Sequence, residues 1–150
     1  MVKMFVVVVS LLSLSAFSES EKRTDLNLEL AQKIASKAAA CGVKNKWKLS
    51  IAVVNSEGNL LYFQRGDGSY MGSIDAAIDK AKSANAFQRP TKAFVDGLKD
   101  GRTGLMTVKN IVGIEGGLPI QIGGRYLGAI GISGAKAAED EQCAKVAIEF

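Results

Sequence analysis

The chain has 150 residues, 47% hydrophobic and 23% charged, which marks a globular protein with a real core rather than a disordered segment. It contains no histidine, which removes most zinc sites, histidine-based triads and histidine ligation of haem iron. The formal charge of +4 is mild and its basic residues are scattered, so no clustered basic face argues for a nucleic-acid partner.

Residues 1–18 read as a signal peptide. Lys3 is the basic n-region, Met4 to Leu14 the apolar core, and Ala16-Phe17-Ser18 a small-x-small cleavage site. The alternative is a membrane anchor, but the apolar run is shorter than the ~20 residues a span needs. Residues 19–25 follow at once as a charged linker, and residues 26–150 are expected to form one domain. Cleavage would remove Lys3, put the protein in the periplasm or outside the cell, and leave it unattached to the membrane. Cys41 and Cys143 would then lie in an oxidising compartment, where two thiols readily become one bridge. Two buried free thiols are the alternative, and the residues alone leave both open.

Leu28 to Cys41 has helical spacing, with Asn27 to cap it and Gly42 as a stop signal. Leu49–Val54 and Leu60–Arg65 are strand-like and flank Asn55–Asn59, a turn with Gly58 expected at positive φ. Leu49, Ile51 and Val53 share one face, Ser50 and Ala52 the other. Arg65-Gly-Asp-Gly68 is a turn, and its Arg-Gly-Asp string is too common by chance to carry an adhesion reading. Ser73 to Gln88 is a second helix, with Ser73 as cap and Ile74, Ala77, Ile78 and Ala81 as its apolar stripe. Arg89-Pro90-Thr91 interrupts it, and a short helix, Lys92 to Leu98, follows. Beyond the loop at Asp100–Gly104, Leu118–Ile122 and Tyr126–Ser133 form a hairpin around Gly123-Gly124. Gly128 and Gly131 suggest that another backbone, a helix or a ligand comes close. Ala137 to Ile148 is a last helix. Two hairpins imply an antiparallel sheet with helices packed on its faces.

Three groups could carry chemistry. Arg89 is a bidentate anion binder, and the helix beginning at Thr91 offers free amides; together they suit a carboxylate or a haem propionate. Gly113 to Pro119 sets Glu115 beside Gly116 and Gly117, whose amides could hold an oxyanion while Glu115 acts as a base or metal ligand. Ser133-Gly134 leads toward Asp140 and Glu141, but the chain ends too soon for a dinucleotide fold, so these acids read as helix-dipole partners. Each group has a plain structural alternative: a helix start, a loop needing glycine geometry, a favoured first turn.

Several strings, taken in order, carry a family resemblance. They are Leu26-Asn-Leu28, Ile51-Ala-Val-Val-Asn55 with Gly58, Arg65-Gly-Asp-Gly68, Gly72-Ser-Ile-Asp75 with Lys80-Ala81, and Arg89-Pro-Thr91. Glu115-Gly-Gly-Leu-Pro-Ile120, Gly128-Ala-Ile-Gly-Ile-Ser-Gly134 and Asp140-Glu-Gln142 complete the set. From about Leu26 onward the chain resembles the GlcG/HbpS-like family, also called the haem-degrading domain family, and the C-terminal domain of PduO-type proteins. The resemblance implies a profilin-like α/β (α+β) fold: an antiparallel sheet of about five strands with helices on its faces. It also implies frequent homo-oligomers, export, and haem binding, sometimes with haem degradation or redox sensing. This chain departs from the family in lacking a histidine ligand, so iron would need Tyr62, Tyr70, Tyr126, a methionine, Cys41 or Cys143, or none. Lys136-Ala137 stands where members tend to have a capping residue and proline, which affects a helix start and not chemistry.

The expected function is therefore an exported protein that binds haem or a related small anionic ligand near Arg89, Thr91, Glu115, Gly116, Gly117 and Ser133. The alternative is an enzyme on a small carboxylated metabolite, with Arg89 as clamp and Glu115 as base. A third reading is a structural subunit that assembles without a ligand.

Overall fold

A computed structural model describes residues 26–150, so the stretches read as signal peptide and linker lie outside the described residues. The elements run α1 (Leu28–Asn45), β1 (Ser50–Asn55), β2 (Leu60–Arg65), α2 (Gly72–Phe87), α3 (Lys92–Lys99), a 3-10 turn (Thr103–Thr107), β3 (Gly117–Ile122), β4 (Arg125–Ser133) and α4 (Ala137–Ile148). The described strands form one antiparallel sheet in the order β2-β1-β4-β3, four strands where about five were expected. Each hairpin contributes a pair, and β1 joins β4 with Ser50 opposite Ser133 and Asn55 opposite Gly128.

Strand alternation divides the interior in two. Ile51, Val53, Ile120, Ile130 and Ile132 face α1 and α4, meeting Ile34, Ala35, Ala38 and Ala144 in the larger core. Ala52, Val54 and Ala129 face α2 and meet Ala77, Ala81 and Ala84. The second layer is built of small side chains because α2 lies almost on the sheet. A Cβ at Gly131 would come within 2.0 Å of the Ala77 carbonyl oxygen and 2.4 Å of the Ala81 nitrogen. The close approach read from the glycines of β4 is thus a helix backbone at Gly131. At Gly128 it is the neighbouring strand, with Val54 O 2.1 Å from such a Cβ.

Asn27 caps α1 as expected, its Oδ1 accepting from the Leu30 N–H at 2.9 Å. Gly42 does not stop the helix. It is buried within α1 against Leu49, whose Cδ1 would lie 2.9 Å from an added Cβ. The helix ends instead at Lys46, a left-handed residue with φ 60°, where Lys46 N–H bonds Val43 O and Trp47 N–H bonds Gly42 O. This is the glycine-type C-terminal motif built on a lysine. Ser73 likewise is not a cap: it lies inside α2, which begins at Gly72, and its hydroxyl donates to Tyr70 O at 2.6 Å. Cys41 and Cys143 form a disulfide that ties α1 to α4, with Cα atoms 5.5 Å apart across a sequence separation of 102. Gly123 and Gly124, at φ 58° and 76°, make the two-residue turn of the second hairpin.

Candidate functional site

Of the residues singled out, Thr91 and Gly117 meet at the start of β3 and bond each other, while Glu115, Gly116 and Arg89 each have other partners. Thr91 is fully buried; its Oγ1 accepts from Gly117 N–H at 3.0 Å, and its own N–H donates to Gly117 O at 2.9 Å. Gly116 O accepts from Ile132 N–H at 2.9 Å. Glu115 is held by Lys92 at 3.2 Å, and Lys92 also bonds Asp96 at 3.0 Å. These hydrogen bonds, Asp96 first and Glu115 second, raise the Lys92 pKa above its usual value. Arg89 is exposed and bonds Phe87 O through Nε at 3.2 Å. Ser133 is buried on β4, opposite Ser50.

What organises this end of the molecule is the pairing of two residues, Lys80 and Asp140, that the sequence reading named separately and did not join. Lys80, from α2, is 2% exposed and donates to Asp140 Oδ2 at 2.9 Å and to Ile132 O at 2.8 Å. Asp140 Oδ1 accepts from Ala135 N–H at 3.0 Å. Burial raises the Asp140 pKa above the usual carboxylate value, and Lys80 offsets part of that shift. Asp140, read from the sequence as a helix-dipole partner, is a buried ion-pair partner. Gly116 and Gly117 make room for this pair: a Cβ at Gly116 would lie 3.1 Å from Lys80 Nζ and 2.9 Å from Asp140 Cβ, and one at Gly117 would lie 2.4 Å from Lys80 O. Next in α4, Glu141 bonds Lys145 through Oε1, while its buried Oε2 has no hydrogen-bond partner.

An open groove lies elsewhere, between the C-terminal half of α1 and the β1–β2 edge, with a volume of about 640 Å³. Ala39, Val43, Trp47, Leu49 and Ile51 supply apolar lining, and Lys46 and Lys48 bring positive charge; Arg65 also borders the groove, but its guanidinium is held by Ser69 on the α2 side of the sheet. Gln64, Gly66 and Asp67 also contribute. The left-handed residue at Lys46 ends α1 so that Trp47 turns back against the core. Lys48 crosses Gly68, where an added Cβ would come within 3.0 Å of the ammonium. Volume and lining fall within the range of small-molecule sites, where apolar walls hold the ligand body and a few polar groups orient it.

Haem can be tested against this donor set. The apolar wall suits a porphyrin face, and Lys46 and Lys48 suit its two carboxylates. The iron finds no imidazole, because the chain has none, and no thiolate, because both cysteines are bridged. Tyr126 is engaged too: its hydroxyl donates to Asn85 Oδ1 at 2.6 Å, and burial pushes its pKa up to about 12. The groove thus offers an apolar wall and two cations to a ring bearing carboxylates, and offers the metal no strong protein ligand. Among the described residues no group of three or more His, Cys, Asp or Glu could hold a metal ion, and no helix is long and apolar enough to cross a membrane.

Fold and groove together define a small α/β protein with helices on both faces of an antiparallel sheet and a groove suited to a small ligand. Residues 26–149 match the model of a family described as haem-degrading protein HbpS-like. The chain belongs to the HbpS-like family. It is 36% identical to Protein GlcG of Escherichia coli strain K12 over 108 residues, covering 69% of this chain and 81% of that protein. The crystal structure of HbpS superposes with a TM-score of 0.76 at 33% identity, covering 86% of this chain and 92% of that one. The structure of a PduOC:Heme complex superposes with a TM-score of 0.76 at 23% identity, covering 83% and 93%, and shares the fold.

Proposed function

We propose that this protein binds haem, or a related planar molecule bearing carboxylates, in the groove between α1 and β2. The observation that carries the reading is the combination of an apolar wall at Val43, Trp47 and Leu49 with two lysines, Lys46 and Lys48, in the lining. A purely apolar ligand would not use the cations, and a small hydrophilic anion would not use the wall. Membership of a family described as haem-degrading supports the same ligand class, as does the haem bound to the PduOC relative. When bound, haem would supply the redox and oxygen chemistry; this chain's residues would hold its ring and carboxylates.

Export belongs to the same proposal. Cleavage after residue 18 would deliver the domain to the periplasm or outside the cell, and a closed Cys41–Cys143 bridge supports an oxidising compartment. Assembly into a homo-oligomer, frequent in the resemblance noted above, is part of the proposal as well, and native mass spectrometry would read it directly.

Titration of the purified mature protein with haemin tests the ligand. The expected result is a shifted, saturable Soret band at micromolar haemin, without the spectrum of an imidazole-ligated iron. An unshifted band across that range would end the haem reading.

A further inference from the structure

A second groove runs where α1 lies against α4, with a volume of about 470 Å³. It shares no lining residue with the groove proposed for haem. Lys37, Cys41, Lys44 and Asn45 line it from α1, and Gln142 and Glu149 line it from the side of α4.

Cys41 brings one half of the disulfide to this groove. It is 8% exposed, whereas Cys143 is 0% exposed and absent from the lining. Asn45 turns its side-chain amide toward the same cysteine: Nδ2 donates to Cys41 O at 2.8 Å and to Cys41 Sγ at 3.8 Å. The bridge therefore has an outer sulfur beside the groove and an inner one sealed in the core. Thiol–disulfide exchange begins with a thiolate reaching a sulfur, so access decides which one is attacked.

The charges around Cys41 define what could reach it. Lys37 and Lys44 stand about one turn to either side of it, roughly 10 Å apart along the helix at 1.5 Å per residue. Lys44 is exposed. Lys37 donates to Glu149 O and lies 5.1 Å from the centroid of the Phe150 ring, which fixes that end of the groove. Glu149 adds one carboxylate. Two cations and one acid suit a ligand with two carboxylates and one ammonium, and the amides of Asn45 and Gln142 suit peptide groups.

We propose that Cys41 is a modification site, S-thiolated by a small peptidic thiol that carries carboxylates and an ammonium and docks between α1 and α4. The ligand's thiolate attacks Cys41 Sγ and forms a new S–S bond. The Cys41–Cys143 bond breaks, and its electron pair passes to Cys143 Sγ, which takes up the proton the incoming thiol had lost. The product is a mixed disulfide on Cys41 and a thiol on Cys143. Return attack by Cys143 restores the bridge and expels the ligand. A second thiol instead removes the ligand as its own disulfide and leaves both cysteines reduced. Either way the modification is a reversible cap. While it lasts, the covalent tie between α1 and α4 is open.

The test incubates the oxidised protein, without denaturant, with glutathione or with uncharged 2-mercaptoethanol, quenches with acid and maps the adducts by peptide mass spectrometry. Glutathione should appear on Cys41 and not on Cys143. Lys44→Ala and Lys44→Gln should each slow the glutathione reaction about two- to fivefold, the range for one exposed charge contact. Neither should change the rate with 2-mercaptoethanol. If adducts formed only at urea concentrations that unfold the protein, or on Cys143 first, the modification site would be overturned and the bridge would be structural alone. If the Lys44 variants left both rates unchanged, or slowed both thiols equally, the docking of a charged ligand would be overturned.

Discussion

Lys80 and Asp140 form a buried ion pair. Each is almost completely buried and each is paired, so removing one leaves the other as an uncompensated charge in a low-dielectric interior. Lys80→Ala and Asp140→Ala should each cost about 3–5 kcal/mol in urea unfolding, whereas the double variant Lys80→Met with Asp140→Leu should recover most of that loss. A double variant no more stable than the singles would show that the pair does more than neutralise itself. Tyr126 gives a pH signature. Its folded pKa, near 12, lies above the ordinary value of 10.0 because its ring is half-buried. The native state therefore keeps a proton that the unfolded chain releases. The stability this provides is fully present below pH 10 and lost as pH rises toward 12. Tyr126→Phe should flatten that alkaline fall, as measured by urea midpoints across the range.

At the scale of elements, glycine marks where backbones meet. Gly131→Ala should destabilise by at least about 3 kcal/mol or prevent folding, because α2 cannot move off β4 without opening the alanine layer. Gly104→Ala, with nothing within 4 Å, should be nearly neutral, and thermal unfolding of the two variants would separate the cases. Much of this level was readable in advance. The bounds of β2 and α4 match the sequence reading, since turn residues and apolar spacing fix both. The two hairpins and their antiparallel pairing followed from Gly58 and Gly123-Gly124. Gly42 misled because a glycine after an apolar run signals a stop, yet here it lets α1 pass Leu49, and the true cap is Lys46, a residue with no turn signature. Lys80 was illegible as a buried cation because its partner stands 60 residues away. The groove has no motif either: its lining comes from the end of one helix and parts of two strands, joined only by folding.

For the molecule as a whole, the disulfide links the first and last helices and thus closes nearly the entire described chain into one loop. Cys41→Ala with Cys143→Ala should lower unfolding free energy by about 2–5 kcal/mol without changing the fold, to be read by denaturant midpoint and far-UV circular dichroism. The same α1 that anchors the bridge through Cys41 walls the groove through Ala39, Gly42 and Val43, so the bridge and the proposed site share one support. The central claim is that a planar, carboxylate-bearing ligand occupies this groove, and the chain carries its own reporter. Its single tryptophan, Trp47, lines the groove. A ring current acts only at short range, so adding diamagnetic zinc protoporphyrin to the nitrogen-labelled protein should shift the Trp47 indole N–H resonance strongly and saturably. Saturable binding that leaves Trp47 unmoved, with the largest shifts at Arg89, Lys92 and Glu115 instead, would contradict the account.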